Sequence, residues 1–195
     1  MTQSTPNSAA APVAPGRAFA VLLLVCGALG LAASAVLTVD KIRLLQNPGY
    51  VPSCNINPVI SCGSVMRTAQ AEAFGFPNSL IGLAAFGALL AVGGGLLAGA
   101  TYRRWFWLTL QAGTVLGLGF TGWLIYQALY EIGALCPYCM VVWAVVLPLC
   151  WYTALQTFPA LRPARRYHWV VPALWYAGIA LLILNRFWYY WRTLL

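Results

Sequence analysis

The sequence predicts an all-α integral membrane protein, with a four-helix transmembrane bundle and a fifth transmembrane helix. Two observations lead to this prediction. Hydrophobic residues make up 62% of the chain and charged residues only 7%, whereas a soluble domain carries about 25% charged residues, so too few charges are present to cover a soluble surface. Five apolar stretches also reach the length of about 20 residues that a helix needs to cross a bilayer core.

The five predicted spans divide the chain into three parts. Residues 1–17 are rich in Ser, Thr, Asn, Ala and Pro, cannot bury a core, and are predicted to be a disordered tail. Residues 18–157 hold the four-helix bundle, with spans at 18–39, 79–100, 105–130 and 136–157. Residues 158–195 hold a basic loop, the fifth span at 169–190 and a short tail.

The first span has an alternative interpretation. Ala33-Ser34-Ala35 resembles a signal-peptidase site that follows an apolar stretch. However, the only basic residue before the stretch is Arg17, and the stretch is long for the apolar region of a signal peptide. These features favour a membrane span that is retained.

The net charge of +8 does not indicate a nucleic-acid partner. The eleven Lys and Arg residues lie singly or in pairs around the apolar stretches, a distribution typical of loops that flank membrane helices. Short clusters at Arg103-Arg104 and at Arg162, Arg165 and Arg166 favour their side of the bundle as cytoplasmic.

The interior of the predicted spans holds small residues and few polar ones. Gly95 and Gly99 are four residues apart, as are Gly113 and Gly117, a spacing that lets helix backbones pack tightly. No ionisable residue lies deep in the first four spans, so a proton or ion pathway is not expected.

Residues 40–78 form a long loop of the kind that is usually functional. With five spans, this loop and the start of the fourth span share one membrane face, so Cys54, Cys62, Cys136 and Cys139 all lie on that face. Disulfides persist outside the cytoplasm, which agrees with the charge clusters. The four cysteines are therefore expected on the extracytoplasmic side.

Cys136-Pro137-Tyr138-Cys139 opens the fourth span. Pro137 suits the first position of a helix, where its missing N–H costs nothing, so Cys136 is predicted as the N-cap. Cysteines three apart on a helix face the same way. The free N–H groups and the dipole at this helix end stabilise a thiolate, which makes the sulfur reactive. The motif predicts a redox-active dithiol or disulfide.

Cys54 and Cys62 form a second pair, whose role the residues leave open. One hypothesis is a non-catalytic membrane scaffold with two structural disulfides. Four cysteines on one face also permit a tetrahedral zinc site, although the loop pair lacks the short spacing of a zinc knuckle and no metal is expected. The favoured hypothesis is a relay of thiol–disulfide exchange, in which the loop pair takes electrons from a soluble thiol and passes them to the membrane pair.

Electrons at the membrane boundary need an acceptor, and a lipid-soluble quinone between the helices is the natural one. Its pocket is expected to be apolar, with a few polar groups that fix the ring. Thr68 and Asn78 are candidates for these groups. For Asn78 a structural role is the alternative, because Phe-Pro-Asn-Ser before an apolar stretch is also a turn and a helix cap.

These residues resemble bacterial members of the vitamin K epoxide reductase family. The resemblance covers about residues 18–157, in order, spacing and helix placement. The residues that carry it are Cys54 and Cys62 in the first loop, Gly75-Phe76-Pro77-Asn78-Ser79-Leu80-Ile81-Gly82, and Leu135-Cys136-Pro137-Tyr138-Cys139. The DsbB family, another quinone-linked four-helix bundle, carries its CxxC in the first loop and is less similar.

The resemblance implies a role for each cysteine and a partner. Cys54 exchanges with the partner's thiols, Cys62 forms a transient disulfide with Cys136, and Cys139 faces the quinone. Many bacterial homologues continue into a thioredoxin-like domain, whereas this sequence ends at Leu195. The implied partner is therefore a separate thioredoxin-fold (DsbA-like) protein outside the cytoplasm.

The resemblance also implies three quinone-binding residues. Asn78 matches the family asparagine that hydrogen-bonds a quinone oxygen. Thr68 stands where the family usually has a serine. Trp143 stands where the vertebrate enzymes have a tyrosine that contacts the vitamin, and this departure favours quinone reduction over epoxide reduction.

The sequence thus predicts a multi-pass enzyme of the bacterial cytoplasmic (inner) membrane, with its active cysteines facing outward. It is expected to reoxidise its partner, to reduce menaquinone or ubiquinone, and so to support disulfide formation in exported proteins. The alternatives are a vitamin K epoxide reductase in the strict sense and the non-catalytic scaffold.

Overall fold

The computed structural model describes residues 15–192, and within them the protein is built from helices. In chain order the α-helices are α1 (Arg17–Gln46), α2 (Cys62–Met66), α3 (Asn78–Leu97), α4 (Arg104–Tyr126), α5 (Pro137–Thr157), α6 (Val170–Arg186) and α7 (Trp188–Trp191). A π-helix, Gln127–Ile132, continues α4, and 3-10 segments lie at Ala69–Glu72 and Pro159–Tyr167. Most of the predicted N-terminal tail, residues 1–14, lies outside the described residues.

Four helices are long and apolar enough to cross a membrane: α1, α3, α4 with its π-helical continuation, and α5. This result confirms the predicted all-α membrane class and the four-helix bundle. The ends of these helices lie within a few residues of the predicted spans, apart from the end of α1.

α1 continues well past the predicted start of the loop at residue 40. At about 1.5 Å per residue its 30 residues span roughly 45 Å, more than the ~30 Å of a bilayer core. The helix continues because both charges at this point have partners: Tyr50 Oη donates to Asp40 Oδ1 at 2.9 Å, and Lys41 Nζ pairs with Glu72 Oε1 at 2.9 Å. The last turns of α1 therefore belong to the loop side of the bundle.

The fifth predicted span is shorter than expected. α6 has 17 residues and ends before Phe187, which is fully buried. Arg186 Nε donates to the carbonyl of Leu129 in the π-helix at 2.8 Å, which fastens the end of α6 to the end of α4. The chain then turns into the separate short helix α7 rather than continuing as one span.

Three of the four glycines predicted to mediate tight packing have no close neighbour, whereas a Cβ at Gly95 would lie 2.6 Å from Tyr102 Oη. Nothing lies within 4 Å of the position that a Cβ would take at Gly113 or Gly117, and both residues line a cavity. Gly99 lies beyond the end of α3, four residues after Gly95. Close approach occurs instead between α1 and α3, at positions such as Gly27.

The cavity lies between α3 and α4 and has a volume of about 500 Å³. α3 packs against α1, whereas α4 packs against α5, and α3 and α4 do not pack extensively against each other. The resulting space is partly open and mostly apolar, and it extends from Cys139 at the start of α5 to Phe106 at the start of α4. The helix arrangement thus places the CxxC motif at one end of an apolar cavity.

Candidate functional site

The start of α5 has the predicted geometry. Cys136 is the N-cap and Pro137 is the first helical residue. Cys136 Sγ accepts a hydrogen bond from the backbone N–H of Cys139 at 3.4 Å. The sulfur therefore interacts with one of the N–H groups that a helix start leaves without a partner.

A short main-chain bridge brings the loop to the CxxC motif. The N–H of Leu135 donates to the carbonyl of Val59 at 2.7 Å, and the N–H of Ser61 donates to the carbonyl of Leu135 at 2.9 Å. Cys62 directly follows Ser61, and Cys136 directly follows Leu135. The bridge therefore sets these two cysteines side by side.

Polar side chains and one glycine hold the two chain segments of this bridge in position. Asn57 Oδ1 accepts the N–H of Ile60 at 2.7 Å, and Asn55 Oδ1 accepts the N–H of Gly63 at 2.8 Å. On the segment that leads to Leu135, Gly133 follows the π-helix with a φ of 68°, a backbone conformation that favours glycine. Both chain segments are thus fixed locally before they meet.

The two cysteine pairs lie next to each other in the structure. Cys54 and Cys62 form a disulfide with a Cα–Cα distance of 5.7 Å, whereas Cys136 and Cys139 are free. The Sγ atoms of Cys136 and Cys62 lie 3.4 Å apart, and both residues are buried, as is Cys54. Sulfur exchange between the pairs can therefore occur by direct contact.

Removing one hydrogen bond of the bridge should separate the pairs. Leu135→Pro removes the N–H that donates to Val59 and leaves that carbonyl without its partner, a loss of about 1–3 kcal/mol. We expect formation of a Cys62–Cys136 crosslink to fall about tenfold or more. Crosslinking is measured by mass spectrometry after mild oxidation of the reduced protein.

The control for this variant is Leu135→Met, which keeps the N–H and nearly the same volume. It should crosslink like the unmodified protein. Equal crosslinking by the proline and methionine variants would show that the bridge does not position the cysteines.

The environment of Cys136 favours its thiolate. The hydrogen bond from Cys139 lowers the pKa of the Cys136 thiol below its ordinary value, and backbone N–H groups act in the same direction, while burial and the charge of Asp40 oppose them. Asp40 is itself buried, with Oδ1 bonded to Tyr50 and no protein partner at Oδ2 among the described residues. The hydrogen bonds at the start of α5 therefore favour the ionised form of Cys136.

Neutralising Asp40 should make Cys136 reactive at lower pH. The negative charge of Asp40 raises the pKa of Cys136, so Asp40→Asn removes an opposing effect and lowers that pKa further. The rate of Cys136 alkylation, measured against pH in a variant without the other free cysteines, should then rise at a lower pH. The exposed Glu131 provides the control Glu131→Gln, which should leave the profile unchanged; the same profile in both variants contradicts the assignment.

The three predicted quinone-binding residues all line the cavity. Thr68, Asn78 and Trp143 share its wall with Cys136 and Cys139. The structure thus brings together two thiols and three polar side chains at one end of an apolar space. This arrangement matches the general form of a small-molecule site, an apolar pocket with a few orienting polar groups.

Asn78 has a structural role in addition to its place in the cavity wall. Its Nδ2 donates to the carbonyl of Gln70 at 2.7 Å, and its Oδ1 accepts the N–H of Ala73 at 3.1 Å. These bonds fasten the 3-10 segment to the start of α3. An amide nitrogen carries two donors, and the bond to Gln70 uses one of them.

Thr68 and Trp143 are also held by neighbouring groups. Thr68 Oγ1 donates to the carbonyl of Val65 at 2.7 Å, which leaves the hydroxyl able to accept. Trp143 is 3% exposed, and its carbonyl accepts a hydrogen bond from Trp175 Nε1 of α6 at 3.3 Å. The fifth apolar helix therefore supports one wall of the cavity.

Three polar residues that line the cavity, Lys41, Gln70 and Gln127, are not among the predicted site residues. Gln70 Nε2 donates to Gln127 Oε1 at 3.3 Å, which joins the 3-10 segment to the first residue of the π-helix. Lys41 also lines the cavity, from the last turns of α1. The sequence carried no signal for Gln127, because the π-helix, a feature that often marks a functional position, cannot be located from the sequence. Lys41 was missed because a lysine after an apolar stretch predicts a loop.

The bonding state of the four cysteines bears on the metal and scaffold alternatives. Within residues 15–192, no group of three or more His, Cys, Asp or Glu residues could hold a metal ion. Cys54 and Cys62 bond each other, so these sulfurs are not thiolate ligands. Cys136 and Cys139 are not bonded to each other in this structure.

A disulfide in contact with a thiol, beside an apolar cavity in a bundle of membrane helices, indicates membrane redox chemistry. The comparison with known protein families agrees. The model of the vitamin K epoxide reductase family matches residues 21–154, and the chain belongs to this family. Among curated proteins, none matches it significantly.

Proposed function

We propose that the protein is a membrane thiol oxidase. It reoxidises a separate thioredoxin-fold partner through Cys54 and Cys62, relays electrons to Cys136 and Cys139, and reduces a membrane quinone. The observation that carries this proposal is the 3.4 Å contact between the sulfurs of Cys62 and Cys136, because it links a loop disulfide to a thiol pair beside the cavity.

The relay begins at the loop disulfide. A partner thiolate attacks Cys54, which breaks the Cys54–Cys62 bond and releases the Cys62 thiolate. The partner's second thiol then displaces Cys54, so the partner leaves as a disulfide. The loop pair has now received two electrons, and the Cys62 thiolate lies next to Cys136.

The second half of the relay carries these electrons inward. The Cys62 thiolate attacks Cys136 of an oxidised Cys136–Cys139 pair, forms a Cys62–Cys136 bond and releases the Cys139 thiolate. Cys54 then attacks Cys62 as a thiolate, restores the loop disulfide and releases Cys136 as a thiolate, while the proton that Cys54 gives up is taken by Cys139. A loop disulfide beside a reduced inner pair is the arrangement expected at this stage.

The cavity fits a quinone as the electron acceptor. Its volume of about 500 Å³ lies within the ~300–1,000 Å³ typical of ligand pockets. Bound quinone supplies an acceptor for two electrons and two protons. Cys139 lines the cavity and provides the sulfur, while Asn78, Thr68 and Trp143 are the residues that orient the ring.

The proposed setting is the bacterial cytoplasmic membrane, with the cysteines on its outer face. Oxidised partner produced there introduces disulfides into exported proteins, in agreement with the persistence of disulfides outside the cytoplasm. The exposed side chains of Val51 and Ile56 flank Cys54, so the loop disulfide lies behind a surface that a soluble partner can contact.

The test is a reconstituted reaction of purified protein, a reduced DsbA-like protein, and menadione or ubiquinone-1. Absorbance should report quinone reduction that needs both proteins. The proposal would be contradicted if neither quinone accepted electrons, from the reduced partner or from dithiothreitol. A parallel assay with vitamin K epoxide distinguishes the strict epoxide reductase, for which turnover of the epoxide would exceed that of the quinone.

A further inference from the structure

Lys41 is a buried charged residue that takes no part in the proposed relay. It is 9% exposed and lines the cavity together with Cys136 and Cys139. Of the cavity-lining residues in the described part of the chain, these three alone carry a titratable group. A buried ammonium is unfavourable unless it is paired and hydrogen-bonded, so the contacts of Lys41 indicate what it can do.

Two contacts hold the Lys41 ammonium and leave it a further donor. Nζ donates to the carbonyl of Met66 at 2.7 Å and pairs with Glu72 Oε1 at 2.9 Å. An ammonium has three N–H groups, so one remains for a ligand in the cavity. The Glu72 side chain is 36% exposed, and the ion pair therefore connects the cavity with water on the loop side.

The reaction needs a proton that the cysteines do not supply. Reduction of a quinone to a quinol takes two electrons and two protons. The Cys136 sulfur accepts the N–H of Cys139 at the start of α5, a position that favours a thiolate. When a Cys136 thiolate and a Cys139 thiol form their disulfide they release two electrons, but only Cys139 carries a proton. One further proton has to reach a quinone oxygen inside an apolar cavity.

We propose that Lys41 donates this second proton to the quinone oxygen, an inference that rests on the proposed function. The Cys136–Cys139 disulfide forms, Cys139 and Lys41 each give one proton to the product quinol, and Lys41 becomes a neutral amine. Glu72 then passes a proton from water to Lys41. Charge is conserved, because the thiolate and the ammonium are consumed together.

The groups around Lys41 make Glu72 the source of the returning proton. Asp40 precedes Lys41 on α1 but is engaged by Tyr50. The residues that α3 and α4 contribute to the cavity wall, within the described chain, include no ionisable side chain. Glu72 is the carboxylate in direct contact with Lys41.

The first experiment compares Lys41→Ala with Lys41→Arg in protein that is reduced beforehand and mixed with menadione. Single-turnover quinone reduction should fall by about a hundredfold in both variants, the usual contribution of a proton donor. Arginine keeps the charge and can keep the ion pair but does not release its proton in proteins. Wild-type rates for Lys41→Arg would overturn the proposal, because they would show that the residue acts only through its charge and contacts.

Chemical rescue distinguishes proton donation from a structural role. Methylamine and less basic alkylamines added to Lys41→Ala should restore the rate, and the rescue should depend on the basicity of the amine. Ile42→Ala, at an exposed position on the same helix, is the control and should need no rescue. Restoration that is independent of amine basicity, or no restoration, would overturn the proposal.

A second readout does not depend on turnover. The infrared carbonyl band of ¹³C-labelled menadione bound to Cys139→Ala protein should lie at lower frequency than that of the free quinone, and adding Lys41→Ala should reverse part of the shift. A carbonyl band at the same frequency with and without Lys41→Ala overturns the role of Lys41 but not the proposed quinone site. Absence of any bound band, in protein whose loop disulfide still reacts with the partner, overturns the proposed quinone site as well.

Discussion

Cys139→Ala should abolish quinone reduction, with a loss of at least about a thousandfold. Cys139 is one of the two cavity-lining thiols at the start of α5, and without it the inner pair can neither form its disulfide nor deliver two electrons. The loop disulfide of Cys54 and Cys62 remains, so one equivalent of partner should still be oxidised. Quinone absorbance and partner thiol content, measured in the same sample, separate these two steps.

Cys150→Ala is the matched control for this variant. Cys150 lies on the same helix and is also a free cysteine, but it is buried and does not line the cavity. This variant should reduce quinone at a rate close to that of the unmodified protein. Quinone reduction by Cys139→Ala at the wild-type rate would exclude the proposed mechanism.

Cys62→Ala should convert a transient partner complex into a stable one. In this variant the Cys54 thiol attacks the disulfide of the oxidised partner, and Cys62 is no longer present to displace the partner. We expect a mixed disulfide to become the main cysteine-dependent adduct, while multiple turnover falls by at least about a thousandfold. Nonreducing electrophoresis detects the adduct, and mass spectrometry identifies the partner.

Cys54→Ala provides the matched control, because it leaves the other cysteine of the loop pair as a single thiol. Cys62 is fully buried against Cys136, so this variant should trap no partner and should form the internal Cys62–Cys136 bond instead. Equal trapping by the two variants would contradict the assignment of Cys54 as the residue that meets the partner.

The helices of the bundle could be predicted because long apolar stretches have few alternatives in a sequence with so few charges. The end of α1 could not, because Asp40 and Lys41 mark the start of a loop unless Tyr50 and Glu72 are known to be their partners. The end of α6 depends in the same way on the bond from Arg186 to the π-helix. In each case a contact between distant residues overrides the local pattern.

The candidate site was predictable in its membership but not in its geometry. Counting spans was enough to place the four cysteines on one face. The 3.4 Å approach of Cys62 to Cys136 depends on the bridge between Ile60 and Leu135, which carries no sequence signature because it joins single residues far apart in the chain. Lys41 was missed for the same reason, since its place in the cavity wall depends on the longer α1.

The partly open gap between α3 and α4 affects how the affinity for a quinone has to be expressed. A ligand that reaches the cavity from the hydrocarbon phase is governed by its mole fraction in that phase rather than by its total concentration in the sample. Added detergent or lipid dilutes such a substrate without removing any of it. The apparent KM for a long-tailed quinone should therefore increase in proportion to micelle volume, whereas the KM for the water-borne thiol partner should not change.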